Sequence, residues 1–131
     1  MKFLILLLIL FSTTSLAFAD TGYVSAQISS DVHTLIVGNQ IMITADISNN
    51  QNTQQSFAYL TQVKDEQQAV ISLSWLTGSL SPSQSFSPAQ SWTPTESGLY
   101  VIEIFVWESI DNPEALSPPL SMTVTVVDPN T

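Results

Sequence analysis

Short runs in which apolar and polar residues alternate cover most of this chain, and turn residues separate them. The clearest run is 40–48, where Ile41, Ile43, Ala45 and Ile47 occupy every second position. Successive side chains of a β-strand point to opposite faces of the sheet, so this alternation predicts a strand with one buried face. Four further runs predict strands: 57–64, 69–76, 100–107 and 120–126. No stretch has convincing helical periodicity, so the sequence predicts an all-β chain.

The strongest run, 100–107, has two contrasting faces. One face is wholly apolar and is assigned to the core, and it carries Tyr100, Ile102, Ile104 and Val106. The other face carries Val101, Glu103, Phe105 and Trp107. A charged residue in the middle of a strand face indicates that the face meets water or a partner.

Residues 69–92 predict one further strand, an irregular region and an edge strand. Residues 69–76 place Ile71, Leu73 and Trp75 on one face, and Thr77-Gly78 is expected to end that strand. Residues 79–90 are rich in Ser, Pro and Gln and predict an irregular edge region. An edge strand ending near Trp92 follows.

An initial strand near 23–29, continued near 35–37, brings the expected total to seven or eight strands. This count, with the spacing of the turns, predicts a two-sheet antiparallel β-sandwich.

The first nineteen residues have the layout of a secretory signal peptide. Lys2 precedes an apolar run over 3–11, and Ala17-Phe18-Ala19 forms a small-x-small cleavage site before Asp20. The apolar run is shorter than a membrane span requires, so we expect cleavage rather than retention as an anchor. The prediction is a leader over 1–19 and one domain over 20–131, secreted or associated with the cell surface. A retained anchor is the alternative.

Charge and cysteine content narrow the possible functions. The chain has eleven acidic residues, two basic residues and no cysteine, and its net charge is −9. After cleavage, Lys64 is the only strong base left, and the net charge is about −10. Binding to nucleic acid or anionic lipid requires Lys and Arg, so both are excluded as partners. The domain must also fold without disulfides.

Gly98-Leu99-Tyr100 resembles the immunoglobulin-like (Ig-like) superfamily, in which a Gly-x-Tyr pattern opens the penultimate strand. The resemblance implies structural roles for Gly98 and Tyr100, with the tyrosine hydroxyl bonded back to a nearby backbone group. Ile102 stands at the position of the usual disulfide cysteine, which implies a disulfide-free branch.

Three strings extend this resemblance: 62–65 (QVKD), 91–94 (SWTP) and 106–109 (VWES). Through them the chain is similar to Ig-like modules of archaeal exported surface proteins, and to bacterial cell-adhesion-related and fibronectin-like domains. That resemblance implies a module without catalytic residues.

The side chains that catalysis uses are scarce. His33 is the only histidine, and it lies near an early edge strand, where an exposed polar role is the favoured interpretation. Eleven acids make a glycosidase-like carboxylate pair easy to find by chance. We therefore predict that the protein is not an enzyme and uses no cofactor.

A calcium site is one alternative, at the acidic loop 108–119. Glu108, Asp111 and Glu114 supply oxygen ligands there, although their spacing matches no EF-hand. A solvated loop held by its prolines is the favoured interpretation.

The aromatic residues of the 100–107 strand are the other candidate site. Glu103, Phe105 and Trp107 can form a protein-docking or glycan-stacking surface, since aromatic residues dominate binding hot spots. Cover of these residues by neighbouring strands is the favoured interpretation. Trp75 and Trp92 are assigned to the core or to a sheet edge. The leading prediction is a non-enzymatic module with a structural, adhesive or protein-interaction role at the cell surface, and the alternative is a secreted protein that binds glycan, small ligand or calcium.

Overall fold

A computed structural model describes residues 24–30 and 32–129. The predicted leader over 1–19 lies outside these residues. Nine strands are present: β1 (Val24–Ile28), β2 (Thr34–Ile36), β3 (Ile41–Asn49), β4 (Gln55–Lys64), β5 (Val70–Leu80), β6 (Ser85–Phe86), β7 (Ala89–Trp92), β8 (Gly98–Trp107) and β9 (Leu120–Val127). The described part of the chain contains no helix, and thus no helix there could cross a membrane.

The strands form two sheets, as the sequence predicts. The five-stranded sheet has the order β2-β9-β8-β4-β5. In the other sheet, β3 pairs with β1 on one side and with both β6 and β7 on the other. Every pair is antiparallel except β2 with β9, which is parallel. The sequence could not give that direction, because a three-residue strand carries too short a pattern to fix its partner.

The core lies between the inner faces of the two sheets. The apolar face of β8 is buried there as predicted, and Ile102 and Ile104 are inaccessible to solvent. β3 contributes Ile43, Ala45 and Ile47 from the opposite sheet. Because every second residue of these strands points inward, the alternation in the sequence becomes one continuous apolar layer.

Strand β5 is longer than predicted, since it continues through Thr77 and Gly78 to Leu80. The expectation that Thr77-Gly78 ends the strand was wrong. Gly78 pairs with Phe57 of β4, and a Cβ on Gly78 would lie 3.2 Å from two atoms of the Phe57 ring. The glycine thus makes room for a neighbouring aromatic ring, a known way to keep glycine within a sheet.

The segment 79–90 is more regular than predicted, because it contains the end of β5, all of β6 and the start of β7. The buried side chain of Asn49 helps to hold it. Its Nδ2 donates to the carbonyl oxygens of Thr53 at 2.8 Å, and of Leu80 and Ser81 at 3.1 Å each. A buried amide with several backbone partners fixes a segment that has little apolar surface of its own.

Candidate interaction surface

The outer face of the five-stranded sheet carries a group of large apolar side chains. β4 lies between β5 and β8, and its Leu60 pairs with Trp75 on one side and with Phe105 on the other. Paired residues project to the same side of a sheet, so these three side chains form a row across three strands. Trp107 lies two residues beyond Phe105 on the same face. We call Leu60, Trp75, Phe105 and Trp107 the outer-face patch.

The members of this patch differ in exposure. Trp75 is 56% exposed, whereas Leu60, between Trp75 and Phe105 in the row, is only 7% exposed. Phe105 and Trp107 are half-buried, and their ring centroids are 5.8 Å apart with an interplanar angle of 43°. The two β8 rings therefore cover part of each other, while Trp75 offers an open ring.

An ion pair lies beside the patch. Lys64 Nζ is 3.2 Å from Glu103 Oε1, and Gln62 Nε2 donates to the same oxygen at 2.7 Å. The three side chains occupy neighbouring positions on β4 and β8. The sequence predicts that the strand face with Glu103 meets water or a partner. In the structure, the charge of Glu103 is balanced by Lys64 within the sheet. The centre of the outer face is close to neutral in a strongly acidic chain.

Strand β5 turns its apolar side outward. Ile71, Leu73 and Trp75 lie on the outer face, and Leu73 is 50% exposed. Ser72 and Ser74, which pair with Val63 and Thr61, lie on the inner side of the sheet. The exposed placement of Trp75 means that it fills a sheet edge and not the core.

Trp92 and Tyr100 join the two sheets in the core. Trp92 is buried in β7, and its ring meets Tyr100 of β8 edge to face, with centroids 5.3 Å apart. The Tyr100 hydroxyl donates to the carbonyl oxygen of Glu96 at 2.7 Å, the backbone bond that the Ig-like resemblance implies. Gly98 has φ +147°, a conformation that residues with a Cβ rarely adopt.

A small acidic cavity of about 160 Å³ adjoins Tyr100. Asp65 and Glu66 reach it from the turn after β4, and Glu96 reaches it from the segment before β8. Burial, followed by the nearby carboxylates of Glu96, Asp65 and Glu66, raises the pKa of Tyr100. The antiparallel pairing of β4 with β8 brings the end of β4 close to the start of β8. The cavity could therefore be predicted only once that pairing is known.

The acidic loop 108–119 is organised by its own backbone. The Glu108 amide donates to the Glu114 carbonyl oxygen at 2.9 Å, and Asn112 Nδ2 donates to Glu108 Oε1 at 2.8 Å. Asp111 is exposed. Across the described residues, no group of three or more His, Cys, Asp or Glu side chains is placed to hold a metal ion. The three carboxylates of this loop are thus not brought together as such a group among the described residues.

His33 lies at the edge of the five-stranded sheet. It is exposed just before β2, and its carbonyl oxygen accepts a hydrogen bond from the Thr125 amide at 2.9 Å, continuing the β2–β9 pairing. Its backbone therefore has a structural role at the edge of the sheet.

The sequence singled out the β8 half of the outer face and missed the rest. Leu60 and Trp75 belong to the same surface, but their membership depends on strand order. The alternation of Ile71, Leu73 and Trp75 with serines was a visible signal. That alternation did not reveal whether the apolar face or the serine face of the strand points outward.

Comparison with known proteins places the fold. No protein-family model and no curated protein matches the chain. A crystal structure of a CARDB domain from Pyrococcus furiosus, in complex with di-metal ions, is 18% identical, with 79% of this chain and 87% of that chain covered and a TM-score of 0.62. The solution structure of a CARDB domain from the same organism is 20% identical over 80% and 94% of the two chains, with a TM-score of 0.63.

An enzyme also contains a similar unit. A β-glucosidase from Listeria innocua, in complex with glucose, is 14% identical over 79% of this chain, with a TM-score of 0.61. This chain spans only 16% of the length of that enzyme. At these identities the similarity shows the fold alone, which is an Ig-like two-sheet β-sandwich.

Proposed function

We propose that this protein is an exported, non-enzymatic Ig-like module that binds a protein partner at the cell surface through the outer-face patch. The observation that carries the proposal is the row of Trp75, Leu60 and Phe105 across three strands, with Trp107 beside it. A large apolar group on the solvent side of a sheet is typical of an interaction surface. The neutral Lys64–Glu103 pair supplies a polar border.

Several features support a binding role over catalysis. The chain has no cysteine and one histidine, and its domain has one lysine, Lys64, whose ammonium group contacts Glu103 at 3.2 Å. A nucleophile with an adjacent base therefore has few residues from which it could be built. The CARDB domains with a similar fold are matched over nearly their whole length, and the β-glucosidase over a small part of its chain.

Retention on the producing cell tests this function. The chain is produced with its own leader, and the fraction retained on washed cells is compared with the fraction released. The N-terminus of the exported chain, read by mass spectrometry, is expected at Asp20. Trp107→Ala is expected to lower retention about tenfold or more, because aromatic residues at the centre of an interface contribute most of its affinity.

The matched control is Leu99→Ala, which removes an exposed apolar side chain from the same face of β8, outside the patch. It is expected to leave retention unchanged. Circular dichroism of both variants establishes that they fold. Equal losses from both variants, or a wild-type chain that is never retained on cells, would contradict the proposal.

Glycan binding is the second candidate, and the open ring of Trp75 favours it. The indole is 56% exposed, and it can stack against the flat face of a sugar ring without any rearrangement. Titration with soluble oligosaccharides, followed by tryptophan fluorescence, tests this candidate. A saturable change that disappears in Trp75→Ala would favour the glycan over the protein partner, and no change would remove the candidate.

A further inference from the structure

Strand β5 forms an unusually open edge of the five-stranded sheet. It extends for eleven residues, Val70–Leu80, and contains neither a charged residue nor a proline. Among the described strands, β5 pairs only with β4, which leaves its other side without a sheet partner. Natural proteins protect long edges with charges, prolines, β-bulges or very short strands, and β5 has only one of these, a bulge at Ile71 near its beginning. Such an edge is suited to receive another strand.

We propose that two copies of this chain associate by pairing their β5 strands antiparallel, which joins their five-stranded sheets into one continuous sheet. This proposal rests on the proposed function, because it identifies a second copy of the chain as one protein partner of the module. The backbone groups of the two edges would complete each other's hydrogen bonds across a two-fold axis.

The side chains of β5 select one register for this pair. When Leu73 of one copy lies opposite Leu73 of the other, Trp75 of each copy lies opposite the bulge at Ile71 of its partner. The Leu73 pair and the flanking Trp75 and Ile71 side chains then share the outer face, and Ser72 lies opposite Ser74 on the inner face. A shift of the two-fold axis by one residue places Ile71 opposite Thr77 or Trp75 opposite Ala69, so the register centred on Leu73 is the most complementary.

Charge at the contact itself does not oppose a second copy as the occupant. The chain as a whole is strongly acidic, but the β5 edge is uncharged, so the contact itself brings no like charges together. The nearest acids, Asp65 and Glu66, lie in the turn before β5. In the antiparallel pair the two turns fall at opposite ends, roughly 27 Å apart along the strands. That separation exceeds the screening length of about 8 Å at physiological salt.

Sedimentation of the exported chain over a concentration series tests the pairing. Wild type is expected to show a reversible monomer–dimer equilibrium. Leu73→Lys is expected to weaken association about tenfold or more, because it places two ammonium groups opposite each other at the axis. Leu73 is 50% exposed, so the lysine side chain can remain in water in the monomer.

The matched control is Ile36→Lys, which adds the same charge at a 41% exposed apolar position on β2, at the opposite edge of the same sheet. Association of this variant is expected to equal that of wild type. Ile71→Lys supplies a second β5 variant in case Leu73→Lys does not fold, and it is expected to weaken association as well.

A mixing experiment tests the register itself. Leu73→Lys and Leu73→Glu are each expected to be monomeric alone, and an equimolar mixture is expected to form a heterodimer, because opposite charges then meet at the axis. A wild type that remains monomeric at every concentration, a dimer that survives both β5 lysine variants, or a mixture that does not associate would overturn the proposal.

The outcome can be separated from that of the proposed function. Trp107→Ala, which tests binding to the cell, leaves β5 intact. If β5 pairing fails while retention still depends on Trp107, the module binds another protein and not itself. If both fail, the interaction role fails as a whole.

Discussion

Two tyrosines on the inner face of the five-stranded sheet differ in what their hydroxyl groups meet. Tyr100 donates to the Glu96 carbonyl oxygen at 2.7 Å. The buried hydroxyl of Tyr59 makes no hydrogen bond of ordinary length among the described residues, and the only group that interacts with it is the Thr61 hydroxyl two residues along. A hydrogen bond between buried groups stabilises the fold modestly, whereas an unpaired buried hydroxyl is a cost. The same atom type should therefore have opposite effects at the two positions.

The first prediction compares removal of the two hydroxyls. Tyr100→Phe should lower the free energy of unfolding by about 1 kcal/mol, because it leaves the Glu96 carbonyl without its donor. Tyr59→Phe, the matched control, should leave stability unchanged or raise it. Urea unfolding of both variants measures the difference. A larger loss from Tyr59→Phe than from Tyr100→Phe would contradict this account.

The second prediction concerns alkaline pH. Burial, with the carboxylates around Tyr100, raises the pKa of that phenol above 10.0, and burial also raises the pKa of Tyr59. The folded state thus keeps its tyrosines neutral at a pH where the unfolded chain ionises them. Their contribution to stability is full below pH 10.0 and falls as the pH rises further.

Urea midpoints measured from neutral pH to above pH 10.0 would check this sign. Tyr100→Phe should show a shallower loss of stability with pH than wild type, and adding Tyr59→Phe should reduce the slope further. Identical slopes in all three proteins would show that other groups control the alkaline transition.

At the scale of single strands, β3 and β8 could be read from the sequence because each has one uninterrupted apolar face. β5 could be read only in part. Its alternation was visible, but its true end depended on Phe57 of the neighbouring strand filling the space beside Gly78. That contact joins residues distant in sequence. Local patterns therefore predicted where strands occur better than where they end.

The outer-face patch shows the same limit. Phe105 and Trp107 share a strand with Glu103, so one strand was enough to single them out. Trp75 and Leu60 joined them only through the order β8-β4-β5, which no local pattern contains. The ion pair between Lys64 and Glu103 could not be predicted from a local pattern either, since the two residues are neighbours only across β4 and β8.

The third prediction tests the two faces of β8. Ile102→Ala should lower the free energy of unfolding by about 2–5 kcal/mol, because Ile102 is fully buried and its truncation leaves a cavity. The neighbouring Val101 is only half-buried on the outer face, so Val101→Ala should cost clearly less. Chemical unfolding of the two variants would check the ranking. Similar losses would mean that the outer face is packed as tightly as the core.

At the scale of the whole molecule, charge works against association while the β5 edge works for it. Two copies, each with a net charge of −9, repel each other at long range. Their proposed contact is uncharged and gains its affinity from backbone pairing and apolar side chains. Added salt removes the repulsion without weakening the contact itself.

The fourth prediction is therefore that dimerisation strengthens as salt is added. The screening length falls from about 30 Å at 0.01 M to about 8 Å at 0.15 M ionic strength, so the dimer fraction should rise over this range and then level off. Sedimentation at fixed protein concentration measures it, with Leu73→Lys as the control that should stay monomeric throughout. An interface held by ion pairs would show the reverse, because salt screens attraction as well as repulsion. A dimer fraction that falls with salt would therefore rule out the uncharged β5 edge as the contact.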